Sequence, residues 1–280
     1  MTDSDSPEDR PDGLEALGPR YVALFDRARH VFAADPRVRG MWVHGAIARQ
    51  AADAASDLDI DIAVTDEHFD EFAAAWPDWL AAITPTVNAA ALAPGSFYAL
   101  TPTCERMDVI SERVSQLPTS PLTRRVTVFD RDNLTNRLPP INDPPPNPDV
   151  IAGVIRETLR QAANFETVVV RDDWLLGVVA VTSVHAMLYQ LFVEANKPQP
   201  PTGPKQWSFK LVPAHRRLLE QLPVPQPEPE SVLAARQAAL GLFLREAPAI
   251  AARHGVTWPA DLADAVLTYL TSKGLGVEMT

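Results

Sequence analysis

The sequence predicts an α+β protein: a mixed sheet flanked by helices over residues 14–137, then a helical bundle over residues 150–280. Three observations carry that prediction. Helix-period and strand-period patterns alternate through the first half of the chain. A proline-rich stretch, LPPINDPPPNPD at 138–149, interrupts both periods and reads as a linker. Beyond it only helical patterns recur.

Taken in order, residues 1–13 (MTDSDSPEDRPDG) are expected to form a disordered tail, because nothing in them offsets the entropy of ordering. From Leu14 to about Ala34 the apolar residues Leu17, Tyr21, Leu24, Phe25, Ala28 and Phe32 recur at helical spacing, and Asp35-Pro36 breaks the pattern. Val38 to Val43 reads as a strand ending at His44-Gly45. Ala46 to Ala55 reads as a short helix or loop, and Asp57 to Val64 as a strand. His68 to Leu80 is expected as one amphipathic helix, followed by strands at Ser96–Leu100, Arg106–Ile110 and Val126–Phe129. The bundle helices are expected at Val150–Val170, Trp174–Glu194, about Lys210–Gln221, Ser231–His254 and Trp258–Tyr269. Asp172-Asp173 reads as the cap of the second of these, and Trp174, Tyr189, Phe192 and Trp207 as bundle core.

Composition narrows the function classes. Hydrophobic residues make up 46% of the 280 and charged residues 22%, the balance of a globular protein with a proper core. The lone cysteine, Cys104, excludes an intrachain disulfide and a cysteine-rich metal site. The formal net charge of -11 argues against a nonspecific nucleic-acid partner, which would call for a basic surface. The N-terminus lacks the basic-then-apolar order of a secretory signal, and the longest apolar run, near Trp174 to Val181, falls short of the roughly 20 residues of a membrane span. A soluble cytoplasmic protein, monomeric or homodimeric and with no membrane partner, is expected.

The chemistry concentrates in WVHGAIARQAADAASDLDIDIAV, residues 42–64. Side chains two apart on a strand share a face, so Asp57 and Asp59 project together. Two carboxylates held that close repel unless a cation lies between them, and Mg²⁺ or Mn²⁺ with hard oxygen ligands is the natural occupant. Such ions commonly carry substrate phosphates as well. Gly45 stands at a strand-to-helix corner, where the missing side chain lets main-chain N–H groups approach a phosphate. Asp61 continues the alternation about 7 Å further along, and is expected to be solvated or to support the pair. His44 and His185 read as structural, and Arg216 and Arg217 as a solvated face.

Val43-His44-Gly45-Ala46, followed by Ser56-Asp57-Leu58-Asp59, resembles the signature of the DNA polymerase beta-like nucleotidyltransferase superfamily. The resemblance covers roughly residues 20–135. It implies that Asp57 and Asp59 bind metal and that a third acid on a later strand completes the site. Asp108 in RMDVI fits that third position, with Glu105 as the nearby alternative. It also implies nucleotide contacts at Gly45, Ala46, Arg49 and Ser56. The layout is similar to that of antibiotic nucleotidyltransferases acting on lincosamides and aminoglycosides, and PKQWSFKLVPAHRRLLEQLP resembles the lincosamide enzymes more loosely. From this follow an NTP donor, a small-molecule hydroxyl acceptor such as an antibiotic, transfer of AMP, and a basic residue of the second half, Lys210 or Lys205, over the phosphates. One residue departs from the pattern: Ala46 replaces the usual serine, and a lost hydrogen bond to a charged group costs about 1.5–3 kcal/mol. Transfer to a macromolecule, and nucleotide or partner binding without turnover, are the alternatives.

Overall fold

The computed structural model describes residues 10–199, 202 and 205–277. The described residues divide into two compact units, one of residues 10–142 with 202 and 205–206, the other of residues 143–199 with 207–277. The crossing at Asn142/Asp143 lies inside the proline-rich segment, and the return of Thr202, Lys205 and Gln206 to the first unit has no counterpart in the sequence pattern.

The first unit carries six strands: β1 (Val38–Val43), β2 (Leu58–Val64), β3 (Asn88–Ala93), β4 (Ser96–Leu100), β5 (Arg106–Arg113) and β6 (Val126–Asp130). They form one sheet in the order β3-β4-β5-β2-β1-β6, in which β2 and β5 run parallel and every other pair antiparallel. Four helices accompany it: α1 (Pro19–Ala34), α2 (Gly45–Ala48), α3 (Phe69–Ala74) and α4 (Trp76–Ile83).

The alternation of LDIDIAV decides how this unit packs. Leu58, Ile60, Ile62 and Val64 of β2 enter the main core with Leu24, Phe25 and Phe32 of α1 and Trp79, Leu80 and Ile83 of α4. An aromatic block fixes the helices there. Trp79 meets Phe32 and Phe97 edge-on at centroid distances of 5.2 and 4.4 Å. The odd-numbered residues of β2 face the other side, where Trp42, Ala63, Leu117 and Leu134 make a smaller cluster.

Several boundaries differ from the sequence reading, each for a local reason. The helix expected over His68–Leu80 is two helices, α3 and α4, divided at Ala75 with Pro77 in the first turn of α4. Strand β3, NAAALA, was missed because its alanines carry no β-branched signal; it pairs with β4 across the Pro94-Gly95 turn. Residues 10–13, expected in a disordered tail, are placed: Arg10 bonds Asp26 at 3.1 and 2.6 Å, and Pro11 is buried. Residues 1–9 lie outside the described residues.

The second unit is helical throughout: α5 (Pro148–Asn164), α6 (Glu166–Val170), α7 (Trp174–Ala195), α8 (Pro213–Glu220), α9 (Pro229–Arg253) and α10 (Ala260–Ser272). Helix α7 packs on α5 and α9, and α10 on α5, around Val181, Leu188, Phe192, Ala239, Phe243 and Leu270. Asp173 caps α7 by accepting from the Leu176 N–H at 3.0 Å, as the sequence predicts. The helix expected from about Lys210 starts only at Pro213, because Leu211 and Val212 are extended ahead of a first-turn proline. Trp207, expected in the core, is 59% exposed and stacks on Tyr189 at 4.4 Å. Helix α7 is also longer than the apolar run read from the sequence. Over its 22 residues it is apolar enough to cross a membrane by length and composition, although Val181, Val184, Leu188 and Leu191 are buried in the bundle.

Candidate active site

Strand register brings the acids together. Asp59 of β2 pairs directly with Asp108 of the parallel strand β5, and Asp57 immediately precedes β2. Asp57, Asp59 and Asp108 each offer an oxygen within 4.8 Å of the others. Glu105, the alternative third acid, is engaged elsewhere: the hydroxyls of Thr101 and Thr103 donate to it, and Arg20 approaches to 3.6 Å, so it belongs to the β4–β5 turn.

The electrostatics are those of a site short of positive charge. Burial, then the charges of Asp57 and Asp108, push the Asp59 carboxyl up to about 7, with partial relief from Lys205 and Arg49. Burial and Asp57 likewise raise Asp108, against Lys205 and Arg106. The donor set is all carboxylate oxygen, and its mutual repulsion is what a divalent cation would relieve, so these residues fit Mg²⁺ or Mn²⁺.

Gly45 closes one side. Its φ of +61° lies in the left-handed region, and a Cβ there would sit 1.7 Å from the Asp59 Oδ2. No side chain fits between this turn and the acid. The His44 N–H donates to the Asp59 carbonyl at 3.1 Å, tying the β1 end of the turn to β2. Helix α2 that follows has only four residues, and Ala46 in it is buried.

The remaining expected residues fall around this centre. Arg49 ends α2, acts electrostatically on Asp59, and donates to the Thr202 carbonyl at 3.3 Å. The Ser56 hydroxyl donates to Asp53 at 2.9 Å and accepts from the Asp53 N–H at 3.1 Å, closing the turn ahead of Asp57. The lysine on the acids is Lys205, whose Nζ lies 2.5 Å from the Asp57 Oδ2. Its neighbour Gln206 donates to the Ala51 carbonyl at 3.1 Å and to Asp53 at 3.3 Å. Lys210 lies in the other unit, in the turn Ser208–Lys210.

Two residues outside the motif complete the picture. Asp61, expected to be solvated or to support the pair, is fully buried and ion-paired with Arg125. That arginine also reaches Glu112 at 2.6 Å, Ser120 at 2.5 Å and the Leu122 carbonyl at 2.7 Å, and lies over the Trp42 ring. Nothing in the local pattern of TRRVTVF distinguishes Arg125 from Arg124. His44 is held neutral down to about 4 by burial, then by the charges of Arg125 and Arg49, and its Nε2 is enclosed without a partner.

No family model matches the chain, and no curated protein sequence matches it. Among solved structures the chain is similar to an aminoglycoside 6-adenyltransferase from Bacillus subtilis, at 15% identity over 91% of this chain and 96% of that one, with a TM-score of 0.43. It is also similar to a nucleotidyltransferase-like protein from Exiguobacterium sibiricum 255-15, at 14% identity over 88% and 89% of the two chains, with a TM-score of 0.35. Likeness of this size assigns no activity.

Proposed function

We propose that this protein is a metal-dependent nucleotidyltransferase that moves a nucleoside monophosphate, AMP in the first instance, from an NTP to a hydroxyl of a small molecule. The observation that carries the reading is the convergence of Asp57, Asp59 and Asp108 within 4.8 Å beside a turn that only glycine can make. The motif resemblance at residues 43–46 and 56–59 supports it independently.

Asp57, Asp59 and Asp108 would hold the cations, which when bound neutralise charge on the triphosphate and on departing pyrophosphate. The chain's own groups do the rest. Gly45 lets the α2 turn lie directly against Asp59, where main-chain N–H groups at the start of α2 would meet a phosphate. Lys205 and Arg49 bring positive charge to the same place. Asp108, whose hold on a proton is raised by burial and by Asp57, takes the proton of the acceptor hydroxyl as the new oxygen–phosphorus bond forms and the bond to pyrophosphate breaks. A small acceptor such as an antibiotic is favoured by the layout of a helical second half, and layout alone does not name it.

Ala46 motivates a second reading, nucleotide binding without turnover, because the hydroxyl of the usual serine is missing. Pyrophosphate release with mixed NTPs, Mg²⁺ or Mn²⁺ and a panel of hydroxyl acceptors separates the two, with mass spectrometry of the acceptors alongside. Transfer predicts an acceptor heavier by one nucleotide in the wild type and none with Asp59→Ala. Thermal stabilisation by NTP with no release across the panel favours the second reading. Neither binding nor release would sink both.

A further inference from the structure

The β2–β5 ladder sets Asp59 against Asp108 but does not reach Asp57, because the pairing begins at Leu58 opposite Met107. The turn ahead of Asp57 is closed on itself through Ser56 and Asp53. Arg106, the first residue of β5, ties that turn to the strand of the third acid. It stands two residues before Asp108, so the two side chains leave β5 on the same side. Its Nη2 donates to the Ala55 carbonyl at 2.5 Å, and its Nε lies 3.8 Å from the Asp57 Oδ2. The Arg106 N–H donates to the Tyr21 hydroxyl at 3.1 Å, which holds the start of β5 against α1.

Lys205 meets the same Asp57 oxygen and makes a contrast with Arg106. An ammonium on a flexible stem supplies charge, whereas a guanidinium holds two groups in a fixed fork. By charge alone, both residues would compete with a cation for Asp57. We propose that Arg106 is a positioning residue of the metal site. Its grip on the turn sets Asp57 at its distance from Asp108, and this outweighs the repulsion its charge exerts on a bound cation. The role rests on the three-acid metal site proposed above. Because the Arg106 side chain is 44% exposed, its removal should leave the fold intact.

The experiment is Mn²⁺ titration of the nucleotide-free full chain by calorimetry, with water-proton relaxation by the bound ion measured alongside. Arg106→Met is expected to bind Mn²⁺ about tenfold more weakly than wild type, at an unchanged Tm. The bound ion should also relax water protons faster, because a water takes the place left by the Asp57 carboxylate. Loss of charge alone would instead tighten binding. Unchanged or tighter binding in Arg106→Met, or weaker binding with unchanged relaxation, overturns the proposal. Should Arg106→Met fail to fold, Arg106→Lys decides, since it keeps the charge and loses the fork. Weaker binding with faster relaxation then supports the role, and wild-type binding refutes it. Asp59→Asn separates the role from the site it serves. Mn²⁺ binding that Asp59→Asn abolishes and Arg106→Met leaves alone sinks the role of Arg106 only. No Mn²⁺ binding in wild type, or binding that Asp59→Asn does not weaken, sinks the metal site and the role together.

Discussion

Asp59 and Asp61 stand two residues apart on β2 and leave the strand on the same side, yet they live in opposite circumstances. Asp59 is half-buried, faces Asp57 and Asp108, and is pushed up to about 7. Asp61 is sealed under Arg125, within a group that also holds Glu112, Ser120 and Trp42. Asp59 has only partial relief, from the charges of Lys205 and Arg49, whereas Asp61 has a buried arginine to itself and its neighbours. Adjacent acids of one type can therefore differ in charge balance according to what covers them.

The largest effect expected from this contrast is on stability. Arg125→Ala strands Asp61 in the core and should cost about 3–5 kcal/mol, because breaking a buried pair leaves a charge without compensation. Asp61→Ala strands the arginine and should cost a comparable amount, softened by Glu112. Asp59→Asn removes a repelled charge and should leave stability unchanged or slightly higher, while abolishing transfer. Chemical denaturation of the three variants measures this directly. Equal losses for Asp59→Asn and Asp61→Ala would break the comparison.

That contrast also marks how far the sequence could be read. The Asp57 and Asp59 pair was legible because strand geometry has a period of two, and Gly45 because a strand-to-helix corner restricts its residue type. Asp108 was reached through the resemblance, which implies a third acid on a later strand; that it and not Glu105 stands beside Asp59 is set by the parallel register of β5 with β2. The fate of Asp61 was not legible, since alternation says which face a side chain takes and nothing about what lies over it. Its cover, Arg125, comes from a point 64 residues away, and Lys205 reaches Asp57 across 148. Contacts of that range lie within the first unit and are set by its tertiary fold, not by any local pattern. Strand β3 failed for the opposite reason, being local but made mostly of alanines, which favour helix over strand.

A smaller effect concerns pH. The Asp59 carboxyl is raised in the folded protein from an ordinary value near 3.8 to about 7, so its contribution to stability is fully present below the unfolded value and is lost as pH rises through about 7. His44 acts in the other direction: lowered from 6.5 to about 4, it contributes stability above its unfolded value that is lost as pH falls through about 4. The difference between wild type and Asp59→Asn isolates the first. Metal-free wild type should lose stability relative to Asp59→Asn between about pH 4 and 7, and Mn²⁺ should diminish the difference by favouring the ionised acids. Calorimetry in buffers of different ionisation heat should show proton release on Mn²⁺ binding below about pH 7. A pH-independent difference would mean that Asp59 is already ionised and no longer contrasts with its paired neighbour.

The smallest effect tests whether the chain has partly supplied the missing charge at the open acids. Lys205 contacts Asp57 at 2.5 Å, but its side chain is 67% exposed, so the pair is worth no more than about 1 kcal/mol. That energy must be given up when a cation takes the Asp57 oxygen. Without nucleotide, Lys205→Ala should therefore bind Mn²⁺ more tightly than wild type, by up to about fivefold. With NTP present the lysine can turn to the phosphates, and the same substitution should weaken nucleotide binding rather than strengthen it. Titration calorimetry in both states reads the two signs. A Mn²⁺ affinity unchanged in the absence of nucleotide would mean that Lys205 does not compete for Asp57. The contrast with the Arg125 pair would then be sharper still, since exposure alone would have left the lysine a bystander while burial made the arginine a partner.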